Sequence, residues 1–342
     1  MNHTEIIERV ARLEPVDSVP FALLSSGAWA INRKGVTLEQ ALRVDPQILT
    51  DWLYEGYTLV DSDISWVGSG YNNIVIKAVG GKIKWRRKGT PDVVEPLFNS
   101  ADDVDKIDPH DVAKDADIRV IYEVTRLLVE KESGQRLVGG SMWGPFTLTG
   151  LLFGADELMR NIYKNRAAVD KLMRFSEELY LAYMQGYIEA GARVIFMAEP
   201  SASGDMISRK HFEEVAIPYI KDIYHRLSGK GLILGLHICG NTQNRLDLIA
   251  DSGAQIMSLD YKVDLDLAKE AFAGKIAFSG NLNPVDVVQN GSEDEIRRET
   301  LVCIDKVGTK SGYIVMPGCD IPPTTPLENL QTISKTVRGY QG

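Results

Sequence analysis

From about residue 136 the chain repeats one pattern: a short apolar run, then a longer stretch with helical spacing. RLVGGSMWG (136–144) leads to helical segments through 190, and ARVIFMAEP (192–200) to a helix from near Ser208 to about 227. GLILGLHICG (231–240) leads to 242–252, AQIMSLD (254–260) to 264–273, and KIAFSGN (275–281) to 284–308 with a break near Gly291. GYIVMPG (312–318) leads to a last helix from Pro326 to about 338. Buried strands alternating with helices imply parallel βαβ units, because a parallel neighbour needs a long crossover.

The N-terminal third is less regular. VPFALL (19–24) reads as a first strand, 37–56 as a helix broken near Asp45-Pro46, and YTLVDSD (57–63) as a second strand. NNIVIKAVGGKIKWRRKG (72–89) reads as a β-hairpin turning at Gly80-Gly81, an insertion capping the barrel. The acidic, proline-containing stretch 91–111 reads as loops and short helical turns. The count comes to about eight parallel strands, which favours a (β/α)8 TIM barrel of the α/β class over an open sheet. No G-x-G-x-x-G follows an early strand, which argues against a dinucleotide fold. Residues 1–342 therefore read as a single barrel domain with an N-terminal β-hairpin insertion.

A barrel gathers the C-terminal ends of its strands at one rim. Glu199, His237, Cys239, Asp260, Asn281 and Cys319 all fall at or just past such ends. His237 and Cys239, in GLHICGN (235–241), are two apart and point the same way on an extended segment. Cys319, in MPGCDIPPTTP (316–326), reaches them only by folding. One imidazole and two thiols match a zinc site, and three protein ligands leave a position open, as catalytic zinc requires. Glu199 is a candidate fourth ligand or general acid/base. Asp260 either orients His237 or a substrate group, or caps a loop. Asn281 is expected to tie a rim loop to the site, Asp320 to stand beside Cys319, and Pro322 and Pro323 to stiffen that segment. Trp29, Trp66, Tyr71 and Trp143 either line an apolar pocket or are ordinary packing. SGAWAINRKG (26–35) reaches the same rim and is a candidate for substrate specificity.

GLHICGN, FSGNLNPVD (278–286), GPFTL (144–148) and GCDIPPTTPLENL (318–330) resemble the uroporphyrinogen decarboxylase superfamily, and within it the zinc-dependent cobalamin methyltransferase branch. The resemblance runs from EPVDSVPF (14–21) to the last helix. It implies a (β/α)8 barrel, zinc on His237, Cys239 and Cys319, and a cobalamin (corrinoid) cofactor carried by a partner protein. Trp143 and Asn281 are the residues assigned to contact that cofactor, and Trp29, Trp66 and Tyr71 with Trp143 either pack under it, line a pocket for a methoxy-aromatic substrate, or are ordinary packing. It implies methyl exchange between the corrinoid protein and a small zinc-activated substrate, with a thiol acceptor such as coenzyme M favoured. Transfer from methanol or an aryl methyl ether to cob(I)alamin is the alternative. The decarboxylases carry an arginine-bearing RQAGR segment soon after the first strand, whereas this chain has LLSSGAW (23–29). A substrate with eight carboxylates needs cationic partners there, so porphyrinogen decarboxylation is disfavoured.

Composition narrows the partners. A net charge of −9 and pI near 5.2 argue against a nucleic-acid binder. No apolar run approaches the roughly 18 residues of a membrane span. Two of the three cysteines lie in the ligand motifs, which suits a reducing cytoplasm rather than a disulfide framework. Cys303, in ETLVCIDKV, reads as a core thiol. Arg86, Arg87 and Lys88 read as a solvated edge or a protein-docking patch. A homodimer is held open.

Overall fold

The computed structural model describes residues 1–308 and 312–340. Its strands are β1 (Ile64–Val67), β2 (Ile83–Lys84), β3 (Asp92–Val93), β4 (Leu137–Trp143), β5 (Val194–Ala198), β6 (Ile233–Ile238), β7 (Ile256–Leu259), β8 (Ala277–Leu282) and β9 (Tyr313–Pro317). Seven of them form one sheet in the order β1-β4-β5-β6-β7-β8-β9, with every pairing parallel. Helices cover the crossovers, as the apolar–helical alternation from residue 136 requires.

The ring is completed by residues 20–23, which lie between the two edges of the sheet. Val315 N–H donates to Pro20 O at 2.9 Å, Ala22 N–H to Val315 O at 3.1 Å, and Asp63 N–H to Phe21 O at 2.8 Å. This segment was expected to be a strand, but it forms only one bridge, Phe21 with Val315. Its remaining donors explain why. Phe21 N–H goes to the Asp63 carboxylate at 2.6 Å and Leu23 N–H to Ser62 Oγ at 3.4 Å, while Pro20 has no N–H. Side chains replace the ladder, and the fold is a TIM barrel whose first staves meet through them.

Two other N-terminal expectations are corrected. Residues 57–60 end the helix Pro46–Val60 rather than begin a strand; Asp61 closes it in the left-handed conformation at φ 56°. Leu49, Leu53, Tyr57 and Val60 are buried at helical spacing, so that face packs only if the helix continues. Ile74–Ala78 is a short helix, not a hairpin arm. Its β-branched residues disfavour helix weakly, and burial of Ile74, Val75 and Ile76 outweighs that preference. The antiparallel pair exists further on, Ile83 opposite Val93 and Lys84 opposite Asp92, with the turn between them rather than at Gly80-Gly81.

The barrel interior is filled by large side chains set against glycines. Trp66 and Phe196 meet edge-to-face at 5.3 Å between centroids, an arrangement worth about 0.5–1.5 kcal/mol beyond burial. A β-carbon at Gly139 would strike Trp66, and one at Gly235 would strike Phe196. Cys303 is buried on the helix Glu293–Val307, as expected. Among the described residues no helix is long and apolar enough to cross a membrane.

Candidate metal centre

His237 is the penultimate residue of β6, and Cys239 follows that strand directly. Cys319 lies two residues past β9. The two loops converge at the C-terminal mouth. His237 Nε2 is 2.9 Å from Cys239 Sγ, and Cys239 Sγ is 3.1 Å from Cys319 Sγ. The three donor atoms all lie within 4.8 Å of one another, and among the described residues no other His, Cys, Asp or Glu joins the group. His237 is buried and both cysteines are half-buried.

Register orients the imidazole. His237 pairs with Ser258 across β6 and β7, and its Nδ1 faces Ser258 O at 3.3 Å and Ser258 Oγ at 3.1 Å. Nδ1–H donating to that carbonyl leaves the Nε2 lone pair aimed at the sulfurs, the tautomer a metal ligand needs. The thiols form a proton-sharing pair. The Cys239 S–H directed at Cys319 holds the Cys319 thiol well below its ordinary range, while the same contact and burial push Cys239 up. Two sulfurs that already favour one thiolate, beside an imidazole with a free lone pair, fit a zinc ion. Replacing Ser258 with alanine leaves the carbonyl but loosens the ring. We expect zinc affinity to weaken by about tenfold, measured by competition with a chelating dye.

The other expected site residues build the walls. Asp260 does not face His237 Nδ1, which belongs to Ser258. Its Oδ2 accepts Gly240 N–H at 2.8 Å and its Oδ1 accepts Lys262 N–H at 2.9 Å, so it clamps the turn that carries Cys239. Asn281 donates its amide to Asp260 O at 3.0 Å and Val263 O at 2.7 Å, tying the rim loop as expected. Gly318 must be small, since a β-carbon there would press on Tyr261 N at 2.5 Å.

Glu199 is fully buried and lies outside the ligand group. Its Oε1 accepts Phe146 N–H at 2.9 Å; its Oε2 accepts Thr147 N–H at 2.8 Å and Thr147 Oγ1–H at 2.7 Å. Both oxygens cap the N-terminus of the helix Pro145–Phe153. Burial pushes its pKa up to about 7, against three hydrogen bonds that favour the charged form. Trp143 is half-buried at the end of β4 and donates Nε1–H to Asn73 Oδ1 at 2.7 Å.

The segment 26–35 does reach the rim. Ser26 N–H donates to Asp320 Oδ1 at 3.1 Å, and Trp29 Nε1–H to Thr325 O at 2.8 Å, which fastens it to the Cys319 loop. Trp29, Trp66 and Tyr71 are buried with their polar atoms on backbone carbonyls, so they are packing rather than a pocket wall. Ser258 and Arg245 were not anticipated. Ser258 could have been found from the register, since it stands two before Asp260 on the same apolar run. Arg245 carries no sequence signal. Its guanidinium is fully buried, donating to Ala202 O at 2.7 Å and Ile207 O at 2.8 Å, and it pins the loop after β5.

A parallel barrel with one imidazole and two thiols at its mouth defines a TIM-barrel protein equipped to hold a catalytic metal. The chain belongs to the uroporphyrinogen decarboxylase (URO-D) family, whose model matches residues 2–340. It is 30% identical over 254 residues to a methylcobamide:CoM methyltransferase, MtbA, of Methanosarcina acetivorans, covering 74% of this chain and 73% of that one. It is 27% identical over 328 residues to a methylcobamide:CoM methyltransferase, MtaA, of Methanosarcina barkeri, covering 94% and 93%. A uroporphyrinogen decarboxylase of Syntrophotalea carbinolica is 27% identical over 262 residues, covering 75% and 74%. In fold, a solved methyltransferase from Methanosarcina mazei superposes with a TM-score of 0.89 over 99% of this chain and 98% of that one, at 22% identity.

Proposed function

We propose that the chain is a zinc- and corrinoid-dependent methyltransferase that exchanges a methyl group between a corrinoid carried by a separate protein and a small thiol. The observation that carries this is the donor set: His237 Nε2 and the Cys239 and Cys319 sulfurs converge at the open end of the barrel. The family relatives named as methylcobamide:CoM methyltransferases support a thiol of the coenzyme M kind as acceptor. The decarboxylase reading is disfavoured by LLSSGAW at 23–29, where the cations for a polycarboxylate would be needed.

His237, Cys239 and Cys319 would hold the metal. Zinc bound there would supply Lewis acidity, which favours loss of the proton of a substrate thiol near neutral pH. Ser258 keeps Nε2 unprotonated for ligation. Asp260 holds the Gly240 turn so that the Cys239 sulfur faces Cys319. Asn281 keeps the next rim loop against Asp260. Glu199 caps the helix behind the mouth, and Trp143 borders the side from which the corrinoid approaches. The relatives named as methylcobamide:CoM methyltransferases support a corrinoid that reaches the mouth on another protein. Two ligand thiols and a buried third suit a reducing cytoplasm.

The test is a cobalamin assay with the zinc-loaded protein. Methylcobalamin is mixed with coenzyme M, and the loss of the methyl-cobalt spectrum is followed. Demethylation that depends on both thiol and zinc is expected. Activity only between cob(I)alamin and methanol or an aryl methyl ether would reverse the direction. Activity with neither would sink the proposal.

A further inference from the structure

Between residues 64 and 91 the chain carries six cations, Lys77, Lys82, Lys84, Arg86, Arg87 and Lys88, and no aspartate or glutamate. The rest of the chain must be more acidic than its net −9 to compensate. Three of the six are neutralised locally: Lys77 by Asp115 and Asp117, Lys82 by Glu95, and Arg86 by Asp92. Lys84, Arg87 and Lys88 are exposed and have no ion-pair partner among the described residues. Arg33, also exposed, lies over the Trp29 ring at 5.0 Å with no carboxylate beside it among those residues.

These charges are held in place. Trp85 is half-buried and meets the Tyr71 ring edge-on at 6.4 Å, anchoring β2. Asn73 donates its amide to Pro91 O at 2.8 Å and accepts Trp143 Nε1–H, joining the base of the hairpin to the rim. At the turn, Gly89 N–H donates to Asn32 Oδ1 at 3.1 Å, and a β-carbon on Gly89 would be in van der Waals contact with Pro323 at 3.7 Å. The turn therefore passes close to Pro323, four residues beyond Cys319. An anchored hairpin with unpaired cations, its turn close to Pro323 in the segment after Cys319, stands out on an otherwise acidic protein.

We infer that the β2–β3 hairpin, through Lys84, Arg87 and Lys88 with Arg33 beside them, is the docking surface for an acidic face of the corrinoid-bearing protein. The inference rests on the methyltransferase reading above. A small anionic thiol would need a cation at the metal centre itself, whereas cations spread along an exposed hairpin suit a protein that must bring its cofactor to the mouth. Opposite charges at a rim raise the encounter rate and set orientation, and such contacts weaken with salt. Nucleic acid is the weaker fit, because the basic surface is one hairpin on an acidic chain.

The test compares wild type with Lys84→Glu/Arg87→Glu/Lys88→Glu, and with the milder Lys84→Gln/Arg87→Gln/Lys88→Gln in case reversal disturbs the fold. Affinity for purified methylated corrinoid protein is measured by biolayer interferometry over a salt series. Demethylation of free methylcobalamin is measured separately. We expect the reversal to raise Kd by about tenfold or more at low salt and to flatten the salt dependence, with the glutamine variant between. The free-cofactor rate should stay within about twofold of wild type, because the exposed cations lie outside the metal centre. Unchanged Kd, or wild type that does not bind the protein, would overturn the inference. So would an equal loss with free methylcobalamin, which would assign the cations to the cofactor itself. Loss of free-cofactor turnover in wild type, with charge-dependent docking retained, would instead count against the methyltransferase reading.

Discussion

Cys319→Ala and Cys239→Ala proteins are each expected to lose zinc from about one per chain to under about a tenth, because two ligands cannot retain a site built for three. Methyl transfer between cobalamin and thiol should fall on the order of a thousandfold, the activation of the substrate thiol being lost with the metal. The fold should survive. Both sulfurs lie at the mouth, outside the packed interior where Trp66 and Phe196 sit, so circular dichroism and thermal melts should differ little from wild type. The control separates this site from a structural zinc, whose loss would unfold the chain. Full activity in a zinc-free Cys319→Ala protein would falsify the metal-centre reading.

Glu199→Ala should behave in the opposite way. Removing the carboxylate leaves the Phe146 and Thr147 N–H groups and the Thr147 hydroxyl without their acceptor in a dry environment. Stranded buried donors cost about 1–3 kcal/mol each at the outset, and relaxation of the helix end should hold the total to about 3 kcal/mol. For a chain of this length, per-residue unfolding entropies convert that into a fall in Tm of about 4 °C. Zinc content should stay at about one per chain, since the carboxylate stands outside the ligand group. Zinc loss with an unchanged melt would make Glu199 a ligand after all, and would replace the capping role with a direct one.

The C-terminal two-thirds was legible because each strand there is a continuous apolar run bounded by glycine or a helix start. The expected runs at 192–200, 231–240, 254–260 and 312–318 contain β5, β6, β7 and β9, and the run at 275–281 covers all of β8 but its last residue, Leu282. The N-terminal third was less so, since its signals compete. Tyr57–Val60 alternates well enough to pass for a strand, yet it lies on the buried stripe of a helix that starts at Pro46. Ile74–Ala78 carries strand formers, but its environment is a helix packed against the core. Residues 20–23 look like a strand and occupy a strand's place, with side chains of Ser62 and Asp63 standing in for ladder partners.

The candidate site divides in the same manner. His237, Cys239 and Cys319 are legible because few other uses bring soft donors to strand ends with flanking glycines. Their number and type, and their expected meeting at one rim, follow from a chain that must bury apolar strands in parallel. Which atoms face which was decided by tertiary structure. Strand register puts Ser258, not Asp260, against the histidine ring. Helix packing sets Glu199 on the backbone of 146 and 147, outside the His237, Cys239 and Cys319 group. The hairpin was fastened to Tyr71 through Trp85 and to Asn32 through Gly89, which brings its turn near Pro323. Apolar periodicity is a local property that survives in one dimension. The partner of a polar side chain is set by distances between segments far apart in the chain, and only the folded barrel supplies those.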